Sequence, residues 1–170
     1  MKRFLLVSAM ILLAGCSAKY NTSNIQNNTE QLIKDAPVVI SMPSDGVYET
    51  RTYAGSGNST ATALKSAFLR HSDSVTIYAD CEDITCLKSK HAISHGYYVI
   101  PQILHWEDRA TEWSGIPDKI EVKITIYNAE SNDRIASTII TGKSKWATFG
   151  GDHPQDLLPD PVNSYISSLY

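Results

Sequence analysis

The clearest hydrophobic pattern in the chain is the alternation in the segment KIEVKITIYNA, near residue 124. Its apolar positions are Ile120, Val122, Ile124 and Ile126, and its polar positions are Glu121, Lys123, Thr125 and Tyr127. Successive side chains of a β-strand point to opposite faces of a sheet. The segment is therefore predicted to be a strand with one buried and one solvated face.

Strand-like segments lie on both sides of this one. YYVIPQILHW, before it, is almost continuously apolar, and RIASTIITGKSKW, after it, follows the turn sequence ESND. Residues 97–146 are therefore predicted to form a three-stranded antiparallel meander. Pro101 has no backbone N–H for a neighbouring strand, which predicts an edge position or a bulge there.

The first half of the chain mixes strands and helices. Strands are predicted at PVVISMP, VYETRTYAG and SVTIYA. Apolar residues at helical spacing predict helices over residues 59–71, 84–96 and 161–169, the second ending at Gly96. The order of elements predicts an α/β (α+β) fold, in which a mixed sheet ends in the meander and the helices pack on one face.

Composition indicates one ordinary globular domain. The chain has 42% hydrophobic and 19% charged residues, with a formal net charge of -3. Its 15 Lys and Arg and 18 Asp and Glu residues are spread along the sequence, so no basic stripe is available for a run of phosphates. Nucleic acid is therefore not an expected partner.

The first sixteen residues have the pattern of a bacterial export signal. Lys2 and Arg3 precede the apolar run FLLVSAMILLAG, which is too short to span a bilayer. The run ends in LAGC, which resembles the lipobox of bacterial lipoproteins, where the peptide is cut before a cysteine that becomes acylated. We therefore expect residues 1–15 to be removed and the chain to be anchored through lipid on Cys16.

The segment after the lipobox predicts a tether. Residues 16–35 are rich in Asn, Ser and Thr, and they contain too few apolar side chains to offset the entropy of ordering. We expect a flexible linker that lifts a single domain, residues 36–170, off the lipid surface. An aspartate directly after the lipidated cysteine resembles a signal for retention in the inner membrane. This chain has Ser17 at that position, so we expect it at the periplasmic face of the outer membrane rather than at the inner membrane.

Several long segments resemble one bacterial family. They are YYVIPQILHWEDRATEWSG, DKIEVKITIYNAESNDRI and GGDHPQDLLPDPVNSYISSLY, and DGVYETRTYAGSGNSTATALKSAF is similar too. The family is the lipoprotein family called domain of unknown function 4823, and the resemblance runs from about Pro37 to the C-terminus. It implies an exported lipoprotein and assigns no catalytic residue. The layout is also similar to the N-terminal domain of TolB and to periplasmic lipoproteins that activate cell-wall synthases, which says little about activity.

The stretch HWEDRATEW, residues 105–113, concentrates charged and aromatic residues between two predicted strands. Paired carboxylates perform glycoside hydrolysis, but adjacent Glu107 and Asp108 would point to opposite faces of a strand, and Glu112 lies in the connection. The remaining interpretations are a solvated network linked by Arg109 and a partner-binding surface. The candidate contact residues are Trp106, Glu107, Asp108, Arg109, Glu112 and Trp113, with the tryptophans and the arginine as anchors.

Two cysteines remain beyond Cys16. In an oxidising compartment, Cys81 and Cys86 are expected to form a disulfide, provided that Cys81 lies before the helix. Residues five apart within one helix are too distant for a bridge. Their spacing differs from C-x-x-C, which disfavours a redox-active pair.

Two further motifs have weaker chemical interpretations. His91 and His95 lie four apart on a predicted helix, a spacing that suits zinc, but further ligands are missing and the helix dipole explains them as well. They are weak metal candidates, and no cofactor is expected. The segment from Gly55 to Ser59 lacks the lysine of a P-loop, so helix capping is favoured over anion binding.

The sequence thus predicts a lipid-anchored periplasmic binding or accessory lipoprotein of the Gram-negative envelope, without catalytic activity. Expected partners are the membrane, through the anchor, and another envelope protein or peptidoglycan. The oligomeric state is left open. The competing hypotheses are a metal- or carboxylate-dependent cell-wall hydrolase and a self-assembling structural protein.

Cys16→Ser should abolish palmitate labelling and release the protein from the membrane fraction, because a hydroxyl does not replace the sulfur that carries the lipid. Metabolic labelling and cell fractionation measure the two effects. A variant that still sediments with envelope membranes, at unchanged gel mobility, would contradict lipidation at this residue.

Overall fold

The computed structural model describes residues 18–27, 30–109, 115–145 and 153–170. The strands of this part of the chain are β1 (Lys19–Gln26), β2 (Val38–Ser41), β3 (Val47–Tyr48), β4 (Arg51–Thr52), β5 (Val75–Tyr78), β6 (Tyr97–Glu107), β7 (Lys119–Asn128) and β8 (Arg134–Lys143). The helices are α1 (Ser56–Phe68), α2 (Ile84–Lys90) and α3 (Pro159–Ser167), and a 3₁₀ helix spans Pro154–Leu157. None of the helices described is long and apolar enough to cross a bilayer.

A mixed sheet of six strands, in the order β1-β8-β7-β6-β2-β5, organises the fold. The strands β6, β7 and β8 are antiparallel neighbours, which confirms the predicted meander. The short strand β2 runs parallel to both β6 and β5. Strands β3 and β4 form a separate small hairpin. The mixed α+β fold class is therefore as predicted.

The main core lies between one face of the sheet and two helices. The alternating apolar residues of β7, from Ile120 to Ile126, are each at most 2% exposed. They belong to one cluster with Leu64 and Phe68 of α1 and Ile166 of α3. Burying one such side chain contributes about 1.5–3 kcal/mol. This face is therefore the main apolar contribution to stability.

Helix α2 packs on the opposite face of the sheet. Leu87 of α2 contacts Val39 of β2 and Tyr98 of β6, whose chain neighbours point into the main core. The prediction that the helices share one face therefore holds for α1 and α3 and is wrong for α2. Because α2 has only 7 residues, it covers the half of its face formed by β2 and β6.

The predicted tether is wrong for residues 19–26, which form an edge strand. β1 pairs with the outer edge of β8, from Lys19 opposite Lys143 to Gln26 opposite Ser137. The Thr138 hydroxyl also donates a hydrogen bond to the Ser23 carbonyl at 3.1 Å. Backbone pairing of this kind needs no apolar alternation, and the side chains of β1 stay mostly exposed. The hydrophobic pattern therefore contained no signal for this strand.

Pro101 lies where β6 changes its surroundings. The pairing of β6 with β2 ends at Val99, whereas its pairing with β7 continues through Pro101. A register shift follows between Ile103 and His105. From Pro101 onward, β6 thus has a sheet partner on one side, which is the locally edge-like position that the missing N–H predicts.

The helix predicted over residues 84–96 ends early, at Lys90. The chain must then reach the start of β6, where the Tyr97 N–H donates to the Pro37 carbonyl at 2.8 Å. Gly96 makes this approach possible, because it has a φ of 95° and a Cβ there would lie 2.1 Å from the Pro37 oxygen. Gly96 therefore serves the crossing to the sheet and does not cap the helix.

Gly96→Ala should reduce the free energy of unfolding by more than about 2 kcal/mol, because the methyl group meets backbone in a left-handed conformation. Urea denaturation of the purified protein measures this. Gly115→Ala is the matched control, since Gly115 has a φ of 65° but no heavy atom within 4 Å of the added Cβ. Equal losses in both variants would contradict the role of the close approach.

Candidate functional site

The end of β6 carries a buried carboxylate surrounded by cationic groups. Glu107 is 2% exposed, and its oxygens lie 2.5 Å from Arg109 Nε, 3.0 Å from His105 Nε2 and 3.4 Å from Lys119 Nζ. Arg109 and His105 reach it from the same strand end, and Lys119 reaches it from the first residue of β7. A carboxylate removed from water is tolerated because these partners replace its hydration.

These partners determine the ionisation of Glu107. Burial acts to raise the pKa of Glu107, but hydrogen bonds with His105 and Arg109 and the charge of Lys119 outweigh it, so the pKa lies below its ordinary value of 4.5. The hydrogen bond to Glu107 likewise raises the pKa of Arg109. A glycosidase acid needs the opposite shift, since it must hold a proton near neutral pH. Glu107 is therefore suited to a structural role.

The neighbouring tryptophan is not a surface anchor. Trp106 is 3% exposed and lies in the main core. Gly46 packs so closely that a Cβ there would lie 2.6 Å from the Trp106 Cβ. Trp106 and Glu107 are both buried, so neither presents the exposed side chain that the interpretation as a partner-binding residue requires. Strand alternation was interrupted by the register shift after Ile103, which sequence inspection did not reveal.

Two other candidates do reach the surface. The Asp108 carboxylate lies 3.8 Å from His153 Nδ1. The Arg109 guanidinium lies 5.4 Å from the centre of the Tyr48 ring, and the Tyr48 ring packs edge-on to His105 at 4.9 Å. The β3–β4 hairpin thus covers the end of β6. The candidates Glu112 and Trp113 lie outside the described residues.

Three lysines form a row across the same end of the sheet. Lys19 of β1 is the cross-strand partner of Lys143 of β8, which is the partner of Lys119 of β7. We call these three residues the basic row. Lys119 pairs with Glu107, whereas Lys19 and Lys143 have no carboxylate within 4.0 Å among the residues described. Like charges directly opposite each other destabilise a sheet, so this row has a cost in the isolated protein.

The basic row borders a groove of about 440 Å³. Its other polar lining residues are Tyr20, Asn21, Tyr48, His105, Glu107, Glu121 and Thr141. These side chains come from the ends of four adjacent strands and from the hairpin. No sequence pattern indicates this groove, because its residues are scattered over more than a hundred positions and only strand pairing brings them together.

Beyond the groove, the polar face of the meander carries exposed side chains. Its exposed or partly exposed residues alternate along three strands, namely Glu121, Lys123, Ile139, Thr141, Asn21 and Ser23, and we call them the open face. Thr125 and Ser137 lie on the same side but are buried, with their hydroxyl oxygens 3.3 Å apart. Helix α2 contacts β2 and β6, and the helices that contact β7 and β8 belong to the main core on the other side. Among the described elements, no helix lies over the open face.

The disulfide joins Cys81, just before α2, to Cys86 within it. Their Cα atoms are 5.3 Å apart, which the extended Asp83 makes possible by beginning the helix after Cys81. The Asp83 carboxylate accepts a hydrogen bond from the Cys86 N–H at 2.8 Å. The bridge thus ties the first turn of α2 to the buried Cys81 that precedes the helix.

The two histidines expected on one helix face do not share a helix, because α2 ends at Lys90. His91 Nε2 lies 2.9 Å from Asp80 Oδ1, and the His91 ring stacks on Tyr78. Ligand atoms of Asp80, Cys81 and His91 lie within 4.8 Å of one another, but the Cys81 sulfur is committed to the disulfide. Two remaining ligands are too few for a zinc site of ordinary geometry.

The N-terminus of α1 is already occupied by a carboxylate of the protein. Asp45 accepts hydrogen bonds from the N–H groups of Gly57 at 2.8 Å and Gly55 at 3.1 Å. Capping therefore comes from Asp45, ten residues upstream, and the segment from Gly55 to Ser59 supplies the backbone donors. An external anion would have to displace this carboxylate.

Glu107→Gln should lower the free energy of unfolding at neutral pH by about 1–3 kcal/mol, because it removes a charged acceptor from three partners. The pKa of Glu107 is lowered by folding, so its contribution is fully present above its ordinary value of 4.5 and is lost as the pH falls through the folded value. Urea denaturation from neutral to acidic pH measures the difference from the wild type. Glu121→Gln, half-exposed on the open face, is the control, and a difference that grows on acidification would contradict the assignment.

A family model described as "Domain of unknown function (DUF4823)" matches residues 30–169. Among solved structures, the PelC dodecamer from Paraburkholderia phytofirmans has a TM-score of 0.59 at 11% identity, covering 89% of this chain and 94% of that chain. XCC0632 from Xanthomonas campestris, of family model DUF330, has a TM-score of 0.49 at 11% identity, with coverages of 85% and 90%. Lipoprotein GNA1162 from Neisseria meningitidis has a TM-score of 0.44 at 10% identity, with coverages of 78% and 96%.

At such low identity, the likeness to PelC concerns the fold alone. Among curated protein sequences, none matches the chain significantly. The match to the family model covers most of the chain and includes every strand of the meander. The chain therefore belongs to the DUF4823 family.

Proposed function

We propose that this protein is a lipid-anchored, non-catalytic accessory module of the Gram-negative envelope, attached through Cys16 to the periplasmic face of the outer membrane. Its contact surface is the open face. The observation that carries the proposal is that a six-stranded sheet has no helix over one half of one face among the described elements, where Lys123, Ile139 and Thr141 are partly exposed. A partner that packs there would supply the missing layer.

The start of β1 changes how the module would sit on the membrane. β1 begins at Lys19, three residues after Cys16, so the anchored sulfur is within about 10 Å of the fold. A tether over residues 16–35 would have held the domain well away from the lipid. Without it, the strands lead away from the bilayer and the open face is turned sideways into the periplasm.

The open face has the composition of a recognition surface for another envelope component. Lys123 and Ile139 are cross-strand partners near its centre, and both are partly exposed. Around them lie short polar side chains, such as Thr141 and Ser23. Such a flat surface with one central cation suits a partner that offers carboxylates, either an envelope protein or peptidoglycan.

The arrangement of ionisable groups supports a non-catalytic role. Glu107 is held ionised by three neighbours, and His91 is engaged by Asp80 and Tyr78. The sulfurs of Cys81 and Cys86 are joined to each other. These groups are thus committed to structure, whereas a hydrolase needs an acid, base or nucleophile presented to its substrate.

The double variant Lys123→Glu with Ile139→Asp should reduce partner capture at least about tenfold, because it removes the centre of the contact surface and reverses its charge. Crosslinking in living cells and pull-down on purified peptidoglycan measure capture. The double variant Thr62→Glu with Ser66→Glu, on the exposed side of α1, is the control. Undiminished capture by the open-face variant, at an unchanged thermal melt, would overturn the proposal.

A second candidate is self-assembly, since the fold resembles that of PelC, which forms a dodecamer. Here the partner of the open face would be another copy of this chain. Light scattering of the same variants distinguishes the two. A wild-type oligomer that the open-face variant reduces to a monomer would favour self-assembly over a different partner.

A further inference from the structure

We propose that the basic row is a membrane-docking surface that binds the phosphates of anionic phospholipid headgroups. This inference deepens the proposed function and rests on its lipid anchor at Cys16. The anchor would hold the protein at the bilayer, and the basic row would set its orientation there.

The charge distribution of the protein favours an anionic surface as the ligand of the basic row. The chain has a formal net charge of -3, yet three lysines stand side by side on adjacent strands. Lys19 and Lys143 are exposed and have no carboxylate within 4.0 Å in the described part of the chain. An anionic surface over the row would relieve the repulsion between these residues.

The position of the basic row in the sheet places it near the proposed anchor. β1 and β7 begin, and β6 and β8 end, at the same end of the sheet, because neighbouring strands are antiparallel. The row therefore lies at the end from which the chain leads back to Cys16. Three residues reach about 10 Å, which is close to the Debye length at physiological salt. Lys19 would thus stay within electrostatic range of the headgroups whenever the anchor is inserted.

The shape of the row selects a lipid surface over a single small anion. Neighbouring strands are about 4.8 Å apart, so the backbones of Lys19 and Lys119 are separated by about 10 Å. One phosphate cannot bridge the whole row, whereas a bilayer presents many phosphates side by side. Tyr20 and Tyr48 line the adjoining groove, and tyrosine is a residue type enriched at membrane interfaces.

Vesicle sedimentation of residues 16–170 carrying Cys16→Ser tests the row without the lipid. This chain contains every described element of the fold. Binding is expected to vesicles containing phosphatidylglycerol and not to vesicles of phosphatidylcholine alone, and it should weaken as salt is added. One lysine near an anionic surface strengthens binding about fivefold, so Lys19→Glu with Lys143→Glu should weaken it by at least about 25-fold.

The reversal of both residues keeps like charges opposite each other at the pair of positions 19 and 143, and it places a carboxylate opposite Lys119. No cross-strand repulsion is added to the sheet, so folding is preserved. The control is Lys34→Glu with Arg70→Glu, which makes the same change of charge at the far end of the sheet. There, Ile33 contacts Tyr97 and Asp35 contacts His71 through hydrogen bonds. This control should keep wild-type vesicle binding.

Equal binding by the basic-row variant and the wild type would overturn the inference, as would an equal loss in the control. Inorganic phosphate should displace the protein from vesicles no better than chloride at equal ionic strength. Displacement specific to phosphate would identify a single-anion site and also overturn it. Because this chain carries no acyl group, the result is distinguishable from the fractionation of Cys16→Ser cells and from the open-face crosslinking.

Discussion

The register of the meander is the constraint on which the rest of the molecule depends. Ile120, Val122, Ile124 and Ile126 must all point into the core, and a slip of one residue would turn them into solvent. Once they are buried, the residues between them necessarily point to the opposite face of the sheet. Lys119, Glu121 and Lys123 then project outward, in line with partners on β6 and β8. The basic row and the open face are thus consequences of packing on the other side of the sheet.

At the end of β6, the same register buries the Glu107 carboxylate, and neighbouring cationic side chains offset the loss of its hydration. Glu107 occupies an outward position but is covered by the β3–β4 hairpin, so its carboxylate is nearly removed from solvent. Arg109, His105 and Lys119 compensate for the lost hydration, and Tyr48 packs over two of these three side chains. The cluster therefore joins β6, β7 and the hairpin into one rigid end. The charged residues within 105–109, which resemble a catalytic cluster in the sequence, therefore have a structural role at this end of the sheet.

Pairing of β1 with β8 has the largest consequence for the proposed function. A flexible linker would allow the domain to search for partners far from the membrane, whereas a strand that begins at Lys19 keeps the fold close to Cys16, the proposed anchor. With the proposed anchor in the bilayer, an end of the sheet and not a linker would meet the membrane, so the fold itself would set the orientation. In that orientation, the open face would point sideways, toward a neighbouring component of the envelope.

Local patterns in the sequence were sufficient for the meander, for the turn at residues 130–133 and for the placement of Cys81 before a helix, because each depends on neighbouring residues alone. Tertiary structure decided the rest. It placed Trp106 in the core, ended α2 at Lys90, joined Asp45 to the start of α1 and added β1 to the sheet. These features arise from contacts between residues far apart in the chain, and the local hydrophobic periodicity of the sequence does not indicate such contacts. The lysines of the basic row are more than a hundred positions apart at their extremes, and only backbone hydrogen bonding between strands makes them neighbours.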